Sequence, residues 1–343
     1  MSDPKICKFL SDEFKGAFSE KEDLKHHTTF RLGGPAEYFI RASNEDVLKK
    51  AVNFAIENEL KYYVIGGGSN LIVNDKGVGG LVIKMTGSKM DFGSGSVSVW
   101  AGTPLADLVS KVSASSWTGL EWAAGIPGTV GGAIYGNAGA YGSAFSDSVK
   151  SVTVFINGGF EIWDKEKAGF FYRDSAFKKD SRRPIILKAT LDFKMGTFQN
   201  VIDAKIADIR AKRKERLPSE PSAGCVFKNV KIVGADFWNA ALRKIMETEQ
   251  GKEYLKRGVI PAGYLIESAG LKGQNSGGIY VSEKHANFLV REINGSASSE
   301  NFLDLIGRIK SRIKDTYLLT LEEEVQYLGF EEKKEGSVIP SVL

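Results

Sequence analysis

Two segments of the chain carry residue types that could bind a cofactor or move a proton. The first is the glycine loop, residues 121–142, which reads EWAAGIPGTVGGAIYGNAGAYG and contains seven glycines and a single charged residue. Interior glycines disfavour both helices and strands, whereas glycine-rich backbone can lie close to a ligand and offer N–H groups to an anion. We therefore expect this loop to be neither an ordinary helix nor a strand, but a cofactor cradle.

The second segment is SAGCVFKN, residues 222–229, which places a free thiol at Cys225 between small and polar neighbours. A free thiol titrates near pKa 8.5, so it is mostly protonated at neutral pH and is a better acid than a serine hydroxyl. The alternative is a small buried hydrophobic residue, the commonest role of a free cysteine. The flanking residues favour a loop at a polar site.

A shorter turn, GGGSN at residues 66–70, follows a predicted strand at 61–65 and precedes another at 71–73. A dinucleotide fingerprint would need a helix after the glycines, and a P-loop would need Gly-Lys-Ser/Thr. We therefore expect any phosphate to be held by backbone amides of loops and not by one helix dipole. The turn could also be a simple tight hairpin.

Mixed helices and strands must position these segments. Apolar spacing predicts helices at 44–60, 201–216, 236–250, 261–269 and 299–317. Thr103-Pro104 predicts the start of another, with Thr103 as its cap and Pro104 in its first turn. Alternation and β-branched residues predict further strands at 80–84, 96–100, 151–156 and 185–193. Because helices and strands do not alternate strictly, we predict an α+β fold rather than a doubly wound sheet.

Composition excludes several classes of protein. The 343 residues are 42% hydrophobic and 26% charged, with a net charge of +4 from 46 basic and 42 acidic residues, which favours neither nucleic acid nor membrane as a partner. No signal peptide or long apolar run is visible. Two cysteines and three histidines leave no disulfide framework and little for a metal. We expect a metal-free cytoplasmic protein.

Nine ordered blocks resemble the family of UDP-N-acetylenolpyruvoylglucosamine reductases (MurB), flavin enzymes of peptidoglycan synthesis. They are HTTFRLGGPAEYF (27–39), YVIGGGSNLIV (63–73), AGTPLADLV (101–109), GLEWAAGIPGTVGGAIYGNAGAYG (119–142), YRDSAFK (172–178), PSAGCVFKN (221–229), PAGYLIESAGLKG (261–273), SEKHANFLV (282–290) and LEEEVQYLG (321–329). Their order over most of the chain makes the resemblance far more specific than any one motif.

The resemblance implies a fold, a reaction and cofactors. The fold is an FAD domain of the vanillyl-alcohol-oxidase (PCMH) type with subdomains at 20–90 and 91–215, followed by a substrate domain at 216–335. The reaction is reduction of UDP-N-acetylglucosamine enolpyruvate to UDP-N-acetylmuramate. NADPH gives hydride to N5 of non-covalent FAD, which passes it to the enolpyruvyl group, and a proton follows.

The resemblance also assigns residues. Arg173 would bind the substrate carboxylate, Cys225 would supply the proton in place of the family's usual serine, and Glu324 would be the second group at the carboxyl site, hydrogen-bonding the enolate if it is held protonated. By residue type alone, a salt bridge from Arg173 to Asp174 or a surface role is the commoner outcome, and the run 322–324 is ordinarily a solvated strand end or turn. For FAD the candidates are Gly66, Gly67, Gly68, Ser69, Asn70, Pro127, Gly128, Thr129, Gly132, Ala133, Asn137, Gly139 and Ala140. For the UDP-sugar they are Arg173, Arg216, Lys228, Asn229, Lys284 and Asn287.

Two features depart from the family pattern. Residues 230–258 look longer than usual, so we interpret their helix as an added element. The short spacing from Arg173 to Cys225 resembles the second subtype, which lacks an extra substrate-covering loop. Two other functions stay open: an oxidase or dehydrogenase of the same fold acting on an alcohol or sugar lactone, and a non-catalytic flavoprotein that binds a UDP-sugar.

Overall fold

The computed structural model describes residues 2–232, 238–293 and 295–330. The helices are α1 (Pro4–Glu13), α2 (Glu45–Glu57), α3 (Leu105–Ala114), α4 (Val130–Tyr135), α5 (Ala176–Lys179), α6 (Gln199–Arg216), α7 (Ala240–Met246), α8 (Glu249–Arg257), α9 (Ala262–Ser268) and α10 (Ser299–Tyr317). The strands are β1 (Phe18–Asp23), β2 (Pro35–Ala42), β3 (Tyr62–Ile65), β4 (Leu71–Val73), β5 (Val78–Met85), β6 (Met90–Phe92), β7 (Ser96–Trp100), β8 (Trp117–Thr118), β9 (Gly139–Ala140), β10 (Ser143–Ala144), β11 (Val149–Ile156), β12 (Gly159–Asp164), β13 (Ile185–Asp192), β14 (Lys194–Met195), β15 (Ser222–Cys225), β16 (Val230–Lys231), β17 (Val259–Ile260), β18 (Asn275–Ser276), β19 (Ile279–Val281), β20 (Phe288–Arg291) and β21 (Gln326–Leu328).

The first sheet has the order β1-β2-β5-β3, with β2, β5 and β3 parallel. Helix α2 begins where the Asn44 side chain accepts a hydrogen bond from the N–H of Val47, a standard N-cap. Its buried stripe of Leu48, Ala51 and Val52 packs into the same core as the sheet. The helix predicted at 44–60 is confirmed. The glycine turn 66–70 leaves this sheet at the end of β3.

The second sheet is antiparallel, in the order β12-β11-β13-β7-β6. The predicted alternation places Ile185, Leu187, Ala189, Leu191 and Phe193 on one face. The first four are buried in β13, and Phe193 follows the end of the strand and is half-buried. This agrees with the period of two in a strand. Helix α6 lies against the same core through Ile202, Ile206 and Ile209.

The start of α3 differs from the prediction that Thr103 caps it. Pro104 occupies the cap position and makes no side-chain cap hydrogen bond, while Thr103 Oγ1 is buried without a partner. The reason lies in the glycine loop: Val130 N–H donates to Thr103 O and Leu105 N–H donates to Gly128 O. The backbone here pairs with the loop, which turns the threonine side chain away from a capping role.

The third sheet, β15-β20-β19-β18, packs against α7, α9 and α10 in a separate hydrophobic core. Helix α10 matches its predicted bounds. The single helix predicted at 236–250 is wrong: residues 236 and 237 lie outside the described residues, and the rest forms α7 and α8. Each has its own cap, because Asn239 accepts from Leu242 N–H and Thr248 accepts from Gly251 N–H.

The end of the described chain returns to the first domain, where β21 pairs in parallel with β4. The mixture of parallel and antiparallel sheets with irregularly spaced helices confirms the α+β prediction. The domain boundaries at 90/91 and 215/216 stay predictions. Across residues 2–232, 238–293 and 295–330, every helix is too short or too polar to cross a bilayer.

Candidate active site

A cavity of about 430 Å³, within the size range of small-molecule sites, lies where the three sheets meet. Its wall comes from the glycine turn, the glycine loop, the β13 end of the second sheet and the C-terminal domain. The lining includes Val64, Ile65, the turn 66–70, Ile126–Thr129, Gly131–Ala133, Tyr135, Ala138–Ala140, Arg173, Lys178, Ile185, Ile186, Arg213, Ala223–Cys225, Phe288, Glu324 and Gln326.

Glycines let the turn 66–70 approach the backbones of residues 127–133 and of His27 closely. A Cβ on Gly66 would lie 2.4 Å from Thr129 Oγ1, and a Cβ on Gly67 would lie 2.7 Å from Gly128 Cα. Gly68 has φ +63°, and a Cβ there would lie 2.1 Å from His27 O. Any larger residue would push the segments apart, so this close approach explains why the turn is glycine-rich.

The glycine loop nevertheless contains a helix and the two-residue strand β9, which corrects our prediction that it would be neither helix nor strand. Helix α4 spans Val130–Tyr135, and the Thr129 side chain caps it by accepting from Gly132 N–H. Gly131 permits this because a Cβ there would lie 2.8 Å from the Cβ of Ala101. That backbone amides of loops, and not one helix dipole, hold a phosphate stays a prediction.

The residues of this cradle fit a dinucleotide cofactor. Neither the turn 66–70 nor the segment 127–133 contains a charged side chain, so no carboxylate of these segments would repel a pyrophosphate. Glycine-rich backbone can offer N–H groups to an anion, although the N–H groups of Gly131 and Gly132 already donate to Ala101 O and Thr129 Oγ1. Beside them the wall is apolar, with Ile126, Ile185 and Ile186, as a flat aromatic ring system requires.

Two polar side chains of the turn are used to hold the cradle together. Ser69 Oγ donates to Pro127 O at 3.2 Å, and Asn70 Nδ2 donates to Glu324 O at 3.0 Å. Both residues line the cavity as predicted, along with the three glycines and with Pro127, Gly128, Thr129, Gly132 and Ala133. Their donors already have carbonyl partners, so their contribution is first to the shape of the site.

Asn137 does not line the cavity, unlike its predicted neighbours Gly139 and Ala140. Its side chain is buried, with Nδ2 donating to Phe171 O at 2.8 Å and Oδ1 accepting from Ser146 N–H at 3.0 Å. An amide that bridges two backbone segments is a structural anchor, and the positive φ of Asn137, +42°, is one that asparagine tolerates. The prediction of a ring contact for Asn137 is not supported.

Arg173 reaches the cavity from a tight turn. The backbones of Phe171 and Asp174 hydrogen-bond to each other in both directions, which leaves Tyr172 and Arg173 at the tip. Arg173 has φ +55°, a left-handed conformation that is uncommon for a residue with a long side chain. Asp174 pairs with Lys179, so the alternative salt bridge from Arg173 to Asp174 does not form.

Glu324 is the carboxylate that Arg173 meets. Arg173 Nε lies 2.9 Å from Glu324 Oε1, but the N–H direction misses the range for a hydrogen bond and leaves Nε without one, so the contact is an ion pair. Burial raises the pKa of Glu324 above its usual range, against the opposing effects of Arg173, Lys178 and Lys228.

Backbone pairing brings Glu324 beside the cysteine segment. Glu324 N–H donates to Val226 O at 2.7 Å, and Lys228 N–H donates to Glu322 O at 2.8 Å. This backbone pairing fixes the register within the run of three glutamates. The exposed side chain of Glu322 forms an ion pair with Lys228, and that of Glu323 forms one with Lys310. Of the three, Glu324 alone lines the cavity.

Cys225 lies at the end of β15, where it lines the cavity. Burial, and next the nearby carboxylate of Glu324, raise the pKa of its thiol to about 12, while Arg173 and Arg213 act in the opposite direction. The thiol therefore keeps its proton at neutral pH. A cysteine whose neighbours are two guanidinium groups and a carboxylate is unlike the inert core cysteine that was the alternative.

The predicted UDP-sugar residues divide into three groups. Arg216 and Lys284 are exposed and do not line the cavity. Lys228 is paired with Glu322, and the Asn229 side chain accepts from Ala262 N–H at 3.2 Å. Asn287 is buried, where it accepts from Phe227 N–H and donates to Phe227 O. Asn287 thus supports the cysteine segment instead of offering its amide to a ligand.

Sequence reasoning missed Arg213, which lines the cavity one helical turn before Arg216. Burial lowers the pKa of its guanidinium. A signal was present: Ile202, Ile206 and Ile209 form the buried stripe of α6, and position 213 continues that spacing. Lys178 and Gln326 were also missed, although both fall inside blocks quoted above.

Comparison with known proteins gives an independent result. Residues 36–163 match a family model described as an FAD binding domain, and residues 216–328 match one described as the C-terminal domain of UDP-N-acetylenolpyruvoylglucosamine reductase. This confirms the predicted FAD domain type followed by a C-terminal domain.

Curated relatives and a crystal structure agree with the family models. The UDP-N-acetylenolpyruvoylglucosamine reductase of Alkaliphilus oremlandii is 38% identical over 90% of this chain and 93% of its own length, and that of Bacillus subtilis is 33% identical over 95% and 98%. The crystal structure of the reductase MurB from Thermus caldophilus is similar with a TM-score of 0.70 and 31% identity, over 91% of this chain and 98% of that one.

Proposed function

The chain belongs to the UDP-N-acetylenolpyruvoylglucosamine reductase family, and from that premise we propose that it reduces UDP-N-acetylglucosamine enolpyruvate to UDP-N-acetylmuramate with NADPH as the reductant. The observation that carries this proposal is the meeting of Arg173, Cys225 and Glu324 on one cavity with the glycine cradle. A carboxylate binder, a proton source and a second carboxyl group are the three protein groups that this reaction needs.

We propose non-covalent FAD as the cofactor. The turn 66–70 and residues 127–133 would hold its pyrophosphate, and the apolar wall at Ile126, Ile185 and Ile186 would face its ring, with Gly139 and Ala140 leaving room. When bound, the flavin supplies two-electron chemistry, accepting hydride from NADPH and passing it to the enolpyruvyl carbon. Every other task falls to the protein.

Arg173 binds and orients the substrate carboxylate. Its guanidinium stays charged at any working pH and can contact both carboxylate oxygens. As the double bond is reduced, negative charge grows on this carboxylate, so a fixed cation beside it favours the transition state over the ground state.

Glu324 stabilises the charge that develops on the substrate, and Cys225 donates the proton. Burial makes Glu324 easier to protonate, and a protonated carboxyl can donate a hydrogen bond to the charge that develops on the substrate. Cys225 keeps its thiol proton until a strongly basic carbon is formed next to it, and it then delivers that proton. A raised pKa suits this role because it prevents loss of the proton to solvent beforehand.

For the anionic diphosphate groups, Arg213 is the better candidate than Arg216, because its half-buried guanidinium lines the cavity while Arg216 is exposed. Lys228 stays a candidate near Glu324. We also assign the chain to the second subtype on the short spacing between Arg173 and Cys225.

Anaerobic flavin spectroscopy tests the function. The purified protein should be yellow, NADPH should bleach the flavin, and UDP-N-acetylglucosamine enolpyruvate should restore the colour without oxygen. An oxidase of the same fold would ignore NADPH and be reoxidised rapidly by oxygen. A non-catalytic UDP-sugar-binding protein would show a binding isotherm but no recovery of colour. A colourless protein that does not take up FAD would overturn the proposal.

A further inference from the structure

The turn that carries Arg173 is anchored by three side chains at three different places. Asn137 Nδ2 donates to Phe171 O at 2.8 Å, and Ser175 Oγ donates to Tyr135 O at 2.6 Å. The third anchor acts on Arg173 itself: Lys178 Nζ donates to Arg173 O at 2.9 Å. The first two attach the turn to the glycine loop, and the third attaches its tip.

Lys178 is an unusual residue to find in that place. It lines the cavity, and burial lowers the pKa of its ammonium group, which Asp174 and Glu324 partly offset. Its Nζ also lies 5.6 Å from the centre of the Tyr135 ring. Within the described ranges it makes no ion pair, because Asp174 pairs with Lys179 and Glu324 with Arg173.

Lys178 is half-buried, and removing a cation from water without an ion pair costs free energy that its hydrogen bonds must offset. Here the bond goes to the carbonyl of a residue in the left-handed region, φ +55°, a conformation that a non-glycine residue keeps only when its surroundings hold it. A charge-assisted hydrogen bond to that carbonyl is a strong restraint. It fixes the backbone from which the guanidinium reaches Glu324.

We propose that Lys178 is a positioning residue of this reaction, which holds the backbone of Arg173 so that its guanidinium faces the substrate carboxylate. The inference rests on the proposed function and adds a residue to it. The lysine acts through Arg173, not by contact with the reacting atoms. Loss of its bond would let the tip of the turn relax and move the guanidinium away.

The test compares Lys178→Met with Lys179→Met. Lys179 is the next residue, carries the same charge and is exposed, so it controls for loss of a positive charge on α5. Misplacement of a binding group by about 1 Å can cost roughly 100-fold. We expect Lys178→Met to lower kcat/KM for the enolpyruvyl substrate by roughly 10- to 100-fold and Lys179→Met to change it less than about twofold. Lys178→Arg, which keeps a charged donor, should recover part of the loss.

A double-mutant cycle read by binding separates positioning from direct contact. Substrate dissociation constants are measured calorimetrically for the wild type, Lys178→Met, Arg173→Ala and the double variant. If the lysine acts through Arg173, its removal costs little once Arg173 is alanine. Independent, multiplying losses would overturn the proposal, as would a Lys178→Met protein that behaves like Lys179→Met.

Two further measurements check that each variant is folded and has bound flavin. Flavin content and Tm of each variant must stay near those of the wild type, and if Lys178→Met does not fold, Lys178→Leu, which also removes the donor, takes its place in the cycle. A wild-type protein that the enolpyruvyl substrate does not reoxidise would refute the proposed function. A wild type that turns over while the two lysine variants behave alike would refute this inference alone.

Discussion

Arg173 and Glu324 form an ion pair, with 2.9 Å between Nε and Oε1, at the wall of the candidate active site. The arginine that we assign to the substrate carboxylate therefore already faces a carboxylate of the protein. When substrate binds, two carboxylates must share one guanidinium. Like charges at one site push one of the two pKa values upward, and this has a measurable consequence.

We predict that substrate binding takes up a proton at Glu324. Its pKa is already raised by burial, and a second carboxylate raises it further, so a proton enters from solvent at pH values between the pKa of the free and of the bound protein. Calorimetric titration in buffers of different ionisation enthalpy measures this uptake. Glu324→Gln should abolish it, while Glu322→Gln, on the exposed side of the same run, should not. Equal uptake in both variants would contradict the assignment.

Replacing Arg173 should weaken substrate binding and turnover together. Truncating one partner of a buried, hydrogen-bonded charge pair costs roughly 2–5 kcal/mol. We expect this cost for the pair proposed between Arg173 and the substrate carboxylate, so Arg173→Ala should lower kcat/KM by about 30-fold or more. Arg173→Lys should recover only part of it, since an ammonium cannot contact both oxygens in the same way. Steady-state kinetics with varied enolpyruvyl substrate measure both effects. A Lys variant equal to the wild type would argue against a two-point contact.

Cys225→Ala should separate the two half-reactions. Without its general acid, reoxidation by the enolpyruvyl substrate should slow by about 10²–10⁴-fold, while NADPH still reduces the flavin. Cys225→Ser should retain much of the activity, because either group can donate a proton in the same place. Stopped-flow absorbance follows each half-reaction. Equal impairment of both would remove Cys225 from the proton-donor role.

The pH dependence of thiol alkylation tests the environment of Cys225. With a pKa raised to about 12, its thiolate fraction should grow about tenfold per pH unit from pH 7 to pH 10, whereas an ordinary thiol levels off above about pH 9. Inactivation by iodoacetamide should follow this slope and be slowed by bound substrate. The experiment uses Cys7→Ala protein, since Cys7 is the second free thiol. A plateau near pH 9 would show an ordinary thiol.

Gly67→Ala should weaken FAD binding by opening the cradle. The new Cβ would lie 2.7 Å from Gly128 Cα. Because no side-chain rotation can relieve a clash with the backbone, the turn 66–70 and residues 127–133 must move apart. We expect the dissociation constant for FAD to rise roughly tenfold or more, about 1.4 kcal/mol. Gly307→Ala is the control, because its Cβ would meet nothing within 4 Å and alanine favours a helix. Equal FAD affinity in the two variants would contradict the role of Gly67.

Sequence reasoning located most elements because their patterns are local. Helix α10 carries both a buried stripe and a cap, and its bounds were predicted as observed. The helix predicted at 236–250 ran past the end of α7 into the first residues of α8, since its apolar spacing ends at Ile245 and only the cap at Thr248 marks the break. The short helix in the glycine loop could not be foreseen from propensity, because glycine disfavours helices and the close approach of Gly131 to Ala101 joins segments that are distant in sequence.

Sequence also predicted some residues of the candidate site correctly and others not. Arg173, Cys225 and Glu324 were found through sequence blocks, and the structure places them on one cavity. Asn137 and Asn287 stand in equally distinctive blocks, yet both hold backbone segments in place. Residue type and spacing do not tell whether a buried amide faces a ligand or a carbonyl group, because the chain it supports is distant in sequence.

The pairing of β21 with β4 has a consequence for how the protein is made. Asn70 holds the carbonyl of Glu324, and Gln326 N–H donates to Asn70 O at 2.9 Å. A growing chain on the ribosome thus displays the glycine turn long before its partner strand exists. The pocket cannot be complete until the chain has been synthesised through residue 328, so we expect a cofactor held by the turn and its partner strand to bind after that point.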